Sequence, residues 1–294
     1  MKVYDCFSFY NEFDILEIRL QELWDVVDYF VLVEADTTFV GSSKEYFFEN
    51  NKERFAPYMS KIRHIKLDDS IEIQRGVFPN QIDDTWVREK YQRYAAYKQL
   101  DDIQPEDLVI ISDCDEIPRA DMIEMIKYDE NDYDRYIVYV AQFNYKINYM
   151  KIQHPSSHPS IIATRGRVWT NPQQEREYSF YWNPKPANTV SVHHGGWHFT
   201  YFGNEDHCVN KIKSFAHTEQ NVPKITDEYN IAWMIRNKYG HEGIDSKHNE
   251  RFEYVVVDEY FPKCIYENLE KWNHMIIPDA VFHVENLYRE QEQY

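Results

Sequence analysis

The stretch Leu108-Val109-Ile110-Ile111-Ser112-Asp113-Cys114-Asp115-Glu116-Ile117-Pro118 constrains this chain more than any other. An unbroken apolar run of strand formers is the mark of a strand covered on both faces. Here it gives way at once to paired carboxylates that do not belong in an apolar core. Val3 to Phe9, Tyr29 to Glu34 and Ile62 to Lys66 have the same buried-strand character, while Glu12 to Trp24 and Asp83 to Leu100 carry helical patterning. In the first helix Phe13, Leu16, Leu20 and Leu23 form the apolar face, and Glu17, Arg19 and Glu22 are expected to point elsewhere. Strands alternating with helices imply a parallel sheet, and such sheets gather ligands at the carboxyl ends of their strands. The acidic turn is therefore expected at the functional edge.

Past the turn, the pattern predicts a short helix over Ala120 to Lys127, a solvated acidic turn from Asp129 to Asp134 and a strand from Tyr136 to Phe143. Residues 150 to 190, rich in Pro, Ser, Asn and aromatics, are expected to be an irregular lid or acceptor surface. Helical periodicity returns at Asp206 to Phe215 and at Thr226 to Asn237. No repeat or linker interrupts the chain, so residues 1–294 are expected to form a single domain.

Charge narrows the function classes. With 32 basic against 50 acidic residues the formal net charge is −18, which repels nucleic-acid backbones and anionic membrane faces, so no nucleic-acid partner is expected. Cys6, Cys114, Cys208 and Cys264 are scattered without a CxxC pair, which argues against a zinc site or a disulfide framework. No run approaches the roughly 18 apolar residues of a membrane span, so the expectation is a soluble, cytoplasmic chain without a membrane anchor.

Two carboxylates one residue apart at a strand's tip repel one another, and a hard divalent cation relieves that repulsion while leaving positions open for phosphate oxygens. A cation so held stabilises the charge that develops on a diphosphate leaving group. The plain alternative is an N-capped turn, since Asp caps helices and Pro118 suits a first turn. A phosphohydrolase with an aspartyl nucleophile also ends a strand in Asp-x-Asp, but Ile117 stands where that chemistry wants a hydroxyl.

Tyr4-Asp5-Cys6-Phe7, Asn11-Glu12, Leu16-Glu17-Ile18-Arg19-Leu20, Val31-Leu32-Val33-Glu34-Ala35, Thr38-Phe39, Gly41, Arg54-Phe55, the acidic turn through Pro118, and Gly196-Trp197-His198 together resemble glycosyltransferase family 17, in order over roughly residues 2 to 240. The resemblance implies an α/β chain of GT-A type, with a Rossmann-like mixed sheet flanked by helices. It implies a UDP-sugar donor, UDP-GlcNAc first among them, and a glycan acceptor. It also implies Mn2+ (or Mg2+) as cofactor and inversion at the anomeric carbon. The nucleotide-sugar part is placed at about 1–145 and the acceptor and C-terminal part at about 146–294.

Roles follow residue by residue. Asp113 and Asp115 are the expected metal and diphosphate pair, Asp115 the direct ligand. His198 is the expected third ligand, with His217 competing and His193 and His194 less placed. Gly195 and Gly196 are expected to let the backbone approach a ligand. Asp206 is the expected base for the acceptor hydroxyl, with Glu205 in reserve, though capping of a helix start explains both as well. Phe7, Tyr10, Asn11 and Glu34 lie where a uridine would meet the first two strands, and Arg88 or Arg93, near Glu89, could pair with phosphate or with Asp113. Trp169, Trp182 and Trp197 are expected sugar-stacking rings, with packing the ordinary explanation. Two other classes remain open: a catalytically silent carbohydrate-binding protein of the same fold, and a metal-dependent phosphohydrolase.

Overall fold

The computed structural model describes residues 1–68, 70–153, 158–180, 185–214, 221–223, 225–240 and 250–291, the side chains of 158, 180 and 288–291 excepted. The N-terminal part alternates as its apolar pattern demands. It runs β1 (Val3–Ser8), α1 (Phe13–Leu23), β2 (Tyr29–Ala35), α2 (Phe47–Asn50), a 3-10 stretch (Lys52–Lys61) and β3 (Ile62–Leu67). There follow α3 (Ile71–Val77), α4 (Asp84–Ala95) with a 3-10 turn (Ala96–Gln99), and β4 (Leu108–Ile111). The expected helix from Asp83 to Leu100 thus tightens after Ala95, and Asp83 caps it by accepting the Thr85 N–H at 2.9 Å.

These strands pair in the order β3-β2-β1-β4, all parallel. Alternate residues feed two cores. Val3, Phe7, Leu32 and Ile110 face the side that α1 covers with Ile15, Leu16 and Leu20, while Tyr4, Cys6, Val31 and Ile111 face Tyr91, Ala95 and Ala96 of α4 and the turn after it. Burial on both faces is the reason these strands read as unbroken apolar runs rather than as alternation.

Beyond β4 the sheet turns mixed. A turn carrying Asp113-Cys114-Asp115 leads into β5 (Glu116–Pro118), α5 (Ala120–Lys127), β6 (Arg135–Asn144), β7 (Tyr149–Lys151) and β8 (His158–Arg165). Strand β8 lies antiparallel between β4 and β6, and extends the parallel half. Next come α6 (Pro172–Phe180), β9 (Thr189–Val192), β10 (Gly196–Thr200), α7 (Glu205–Ser214) and α8 (Glu228–Asn237). β11 (Phe252–Tyr254), α9 (Lys263–Tyr266), α10 (Leu269–Trp272) and α11 (Val284–Gln291) close the described chain. The purely parallel sheet read from the first half is therefore one part of a larger mixed sheet.

The stretch expected to be irregular, 150 to 190, holds both β8 and α6. Its strand hides a short run, Ile161-Ile162-Ala163, among polar neighbours. Its helix begins with Asn171, whose side chain accepts the Gln174 N–H at 2.9 Å, followed by Pro172 in the first turn. That Asn-Pro pair is a start signal readable in the sequence.

Candidate active site

Strand β1 has β2 on one side and β4 on the other, so the chain's direction of sheet growth reverses between β1 and β4. The crevice at the carboxyl ends of such a strand pair is where open α/β sheets bind ligands. Phe9 to Glu12 leave β1 at this point, and Asp113 to Asp115 leave β4 beside them.

The turn alternates inside and out. Cys114 is buried in the apolar core, which turns Asp113 and Asp115 the other way. Beneath it lies Arg19, fully enclosed although the helix pattern pointed it elsewhere. Its guanidinium grips Asp5 of β1 at 2.5 and 2.7 Å and donates to the carbonyls of Asp113, Cys114 and Glu116 at 3.0, 3.2 and 2.8 Å. It also reaches Ser112 Oγ at 2.7 Å and lies over the Phe7 ring. A buried guanidinium is tolerated only when its donors are satisfied, and here the acceptors are the backbone of the acidic turn itself. A sequence signal existed: Asp5, inside a strand read as central, requires a buried partner.

Asp113 is held from the other side. Its carboxylate takes Arg93 of α4 at 2.9 Å and Arg176 of α6 at 3.3 Å, and its N–H donates to Glu116 Oε2 at 2.7 Å. Burial disfavours its charge, but the two guanidiniums outweigh that and hold the carboxyl well below the usual range. Arg176 also pairs with the enclosed Glu116 at 2.8 Å, and burial pushes that carboxyl upward. Neither was among the expected site residues: Arg176 stands on α6, in a stretch read as irregular, and Glu116 was read only as the continuation of the acidic turn.

Asp115 faces a different group of partners. Lys211 of α7 places its ammonium 2.6 Å from Asp115 Oδ2, and His198 of β10 brings Nε2 to 3.7 Å from Oδ1. Burial again opposes the charge, and Lys211 with His198 outweighs it, so the carboxyl stays below its usual range. His198 arrives through register: β10 runs antiparallel to β5 with His198 opposite Glu116, and Phe199 N–H donates to the Asp115 carbonyl at 2.9 Å. Gly195 and Gly196 make that pairing possible, because a Cβ on Gly196 would strike the Ile117 carbonyl and one on Gly195 the Val138 side chain. The glycines therefore admit a neighbouring strand, where close approach to a ligand was expected.

The 3.7 Å gap between Asp115 Oδ1 and His198 Nε2 fits a single divalent ion, whose oxygen and nitrogen donors each stand about 2.0–2.2 Å away. Among the described residues no group of three or more His, Cys, Asp or Glu could hold a metal, and Asp113, one of the three residues expected to do so, is engaged by two arginines.

The remaining residues separate. Phe7 is enclosed beneath Arg19, and Glu34 is enclosed where it accepts the N–H groups of Phe48 and Glu49 at 2.7 and 3.3 Å, so neither faces the crevice. Tyr10 and Asn11 are partly exposed at its rim, and the Tyr10 N–H donates to Glu12 at 3.1 Å. Arg88 packs over Gly41 and donates to the Phe39 carbonyl at 3.4 Å. Asp206 and Glu205 occupy the first turn of α7. Asp206 is exposed and hydrogen-bonds Glu228 of α8, which raises the Glu228 carboxyl. Trp197 is buried, its Nε1 donating to the Tyr260 carbonyl at 3.2 Å, and Trp169 stacks on Tyr97 with ring centres 6.5 Å apart. His193 stacks on Tyr139, and His194 holds a left-handed φ of 58°. Trp182 and His217 lie outside the described residues.

The model of the family described as glycosyltransferase family 17 matches residues 1–280. The chain belongs to this family. Its mixed α/β sheet flanked by helices agrees with the architecture expected of a family 17 member. It is 30% identical over 135 residues to proteins of rat and human named beta-1,4-mannosyl-glycoprotein 4-beta-N-acetylglucosaminyltransferase. The match takes in 44% of this chain and 24% of each relative, so the aligned segment spans about a quarter of their length. Among solved structures, S. aureus TarS 1-349 is 12% identical with a TM-score of 0.41, over 78% of this chain and 72% of that one. A likeness that loose carries no fold assignment, which rests here on strand order and family. No helix among the described residues is long and apolar enough to cross a membrane.

Proposed function

We propose that this family 17 chain transfers N-acetylglucosamine, with inversion, from UDP-GlcNAc to a glycan hydroxyl, with Asp115 and His198 holding a divalent ion, manganese or magnesium, against the donor diphosphate. The carrying observation is the Asp115 and His198 pair, 3.7 Å apart, one in the turn that follows β4 and the other on the strand that pairs with β5. The relatives' name supports the sugar. The ion, when bound, supplies Lewis-acid neutralisation of the diphosphate.

The protein's own groups do the rest. Arg19 fixes the backbone of the turn, so that Asp115 keeps its position when its partners change. Arg93 and Arg176 neutralise Asp113, which prevents two adjacent carboxylates from repelling the incoming phosphates. Tyr10, Asn11 and Arg88 offer the uridine end its contacts at the crevice rim. Asp206 accepts the proton of the acceptor hydroxyl, with Glu205 beside it and Glu228 sharing the hydrogen bond on the far side. In this reading residues to about 145, joined by Arg176 and His198, hold the nucleotide sugar, and the rest of the chain after about 145 presents the acceptor.

Release of UDP from UDP-GlcNAc, compared with UDP-hexoses and measured with manganese or with a chelator, tests the reading. UDP-GlcNAc should be used only with the ion, and Asp115→Ala should abolish turnover while the protein keeps its circular dichroism and melting cooperativity. Asp206→Asn should retain UDP binding and lose on the order of a hundredfold or more in transfer. Turnover that survives in Asp115→Ala refutes the site. Failure to bind either UDP or the ion favours a silent carbohydrate-binding protein, and hydrolysis of simple phosphate esters favours a phosphohydrolase.

A further inference from the structure

Lys211 of α7 stands beside Asp115 with no role in the mechanism above. Its ammonium stands 2.6 Å from Asp115 Oδ2 and 3.6 Å from Glu12 Oε1, and it is largely enclosed. Both of these neighbours are carboxylates, so the ammonium is flanked by anions on two sides. The helix explains its position. Cys208, Val209 and Ile212 of α7 pack into the tyrosine-rich core around Tyr145 and Tyr201, which leaves Lys211 on the flank that faces the crevice. Glu12, its second anion, is the residue whose other oxygen accepts the Tyr10 N–H, where the chain leaves β1. One long, flexible side chain thus joins the candidate ion ligand to the rim expected to meet the nucleotide.

A buried ion pair at this depth gives little stability over an apolar pair of the same shape, so a purely structural purpose is weakly served by it. Its electrostatic effect is large. A positive charge within hydrogen-bonding distance of Asp115 opposes a second cation on the same carboxylate, and among the described residues no group of three or more His, Cys, Asp or Glu stands ready to offset that opposition. A diphosphate entering the crevice changes the balance, because its oxygens are stronger partners for an ammonium than a carboxylate already shared with a metal.

We propose that Lys211 is the resting counter-charge of Asp115 and is transferred to the donor's diphosphate on binding, so that the divalent ion and the nucleotide bind tightly only together. This rests on the metal and diphosphate reading of Asp115 given above. It adds that the protein without nucleotide binds the ion weakly by construction, and that Lys211 contacts the departing phosphate.

The test is a manganese titration read by the paramagnetic resonance of the free ion, with and without UDP, on the wild-type protein, Lys211→Met and Lys211→Arg. Without UDP, Lys211→Met should bind manganese on the order of tenfold or more tighter than wild type, while Lys211→Arg stays near wild type. With manganese present, Lys211→Met should bind UDP on the order of tenfold more weakly. Manganese binding by Lys211→Met no tighter than by wild type overturns the inference and leaves the metal centre standing. No manganese binding by any form, with or without UDP, removes the metal centre and this inference with it. Should Lys211→Met fail to fold, Glu12→Gln carries the test: the ammonium is then left to Asp115 alone and ion binding should weaken, and unchanged affinity overturns the inference.

Discussion

The parallel half of the sheet and the crevice at its edge are built from opposite materials. In β1 to β4 the side chains that matter are aliphatic, and their neighbours follow from alternation and the α1 and α4 packing. At the crevice the deciding side chains are charged. Arg19, Arg93, Arg176 and Lys211 come from four helices to meet Asp5, Asp113, Asp115 and Glu116. An aliphatic core tolerates small rearrangement, because any neighbouring carbon serves as a partner. Enclosed charges do not, because each requires a specific counter-charge at hydrogen-bonding distance. The scaffold therefore supplies stability, and the charged cluster fixes position.

The sharpest way to break that contrast is Arg19→Met. It leaves Asp5 enclosed without its partner and frees three carbonyls of the acidic turn, so denaturant unfolding should report a loss of about 3–5 kcal/mol. The folded fraction should also lose turnover. Leu32→Ala, in the centre of the parallel half, should cost about 3 kcal/mol through the cavity it opens, yet leave the rate per folded molecule within about twofold. Equal loss of specific activity in the two variants would erase the division of labour.

Acid offers a third, smaller probe. Asp113 and Asp115 hold their protons less readily folded than unfolded, so the stability they contribute is whole above about pH 4, the ordinary carboxyl value. It is lost as the pH falls through their lowered folded values. Unfolding midpoints measured from pH 5 downward should fall in the wild type and fall less in Asp113→Asn. A slope identical in the two would separate the acidic turn from acid stability. The smallest effect belongs to Arg54→Ala, which removes surface pairs with Asp14 and Glu17 and should change stability by less than about 1 kcal/mol, with turnover unaltered. A larger loss would place an exposed pair in the class reserved here for the crevice.

The residues read from the sequence and those it concealed divide along the same line. β1 to β4, α1, α4 and α5 were legible because their periodicities are local and their burial is continuous, and the acidic turn stood out because charge follows an apolar run without a break. α6 was hidden by a polar composition, since a helix whose buried residues after Pro172 are Gln173, Glu175, Arg176 and Ser179 has no apolar stripe to display. Arg19 was misdirected for a related reason: hydrophobic patterning assigns every charge to water, and although Asp5 in a central strand calls for a buried partner, nothing in the pattern says that Arg19 is that partner or that three turn carbonyls share it.

The sequence by itself determined the alternating α/β order, the position of Asp113-Cys114-Asp115 at a strand's tip and the resemblance to family 17, all properties of contiguous residues. The sequence offered Arg88 or Arg93 for Asp113 and His198 for the acidic pair, and only the tertiary structure chose Arg93, added Arg176 beside it, and set Lys211 with His198 against Asp115. Electrostatic partnership acts through a few ångströms of space, and those partners stand 20, 63, 96 and 83 positions away along the chain. No local pattern of residues carries that distance.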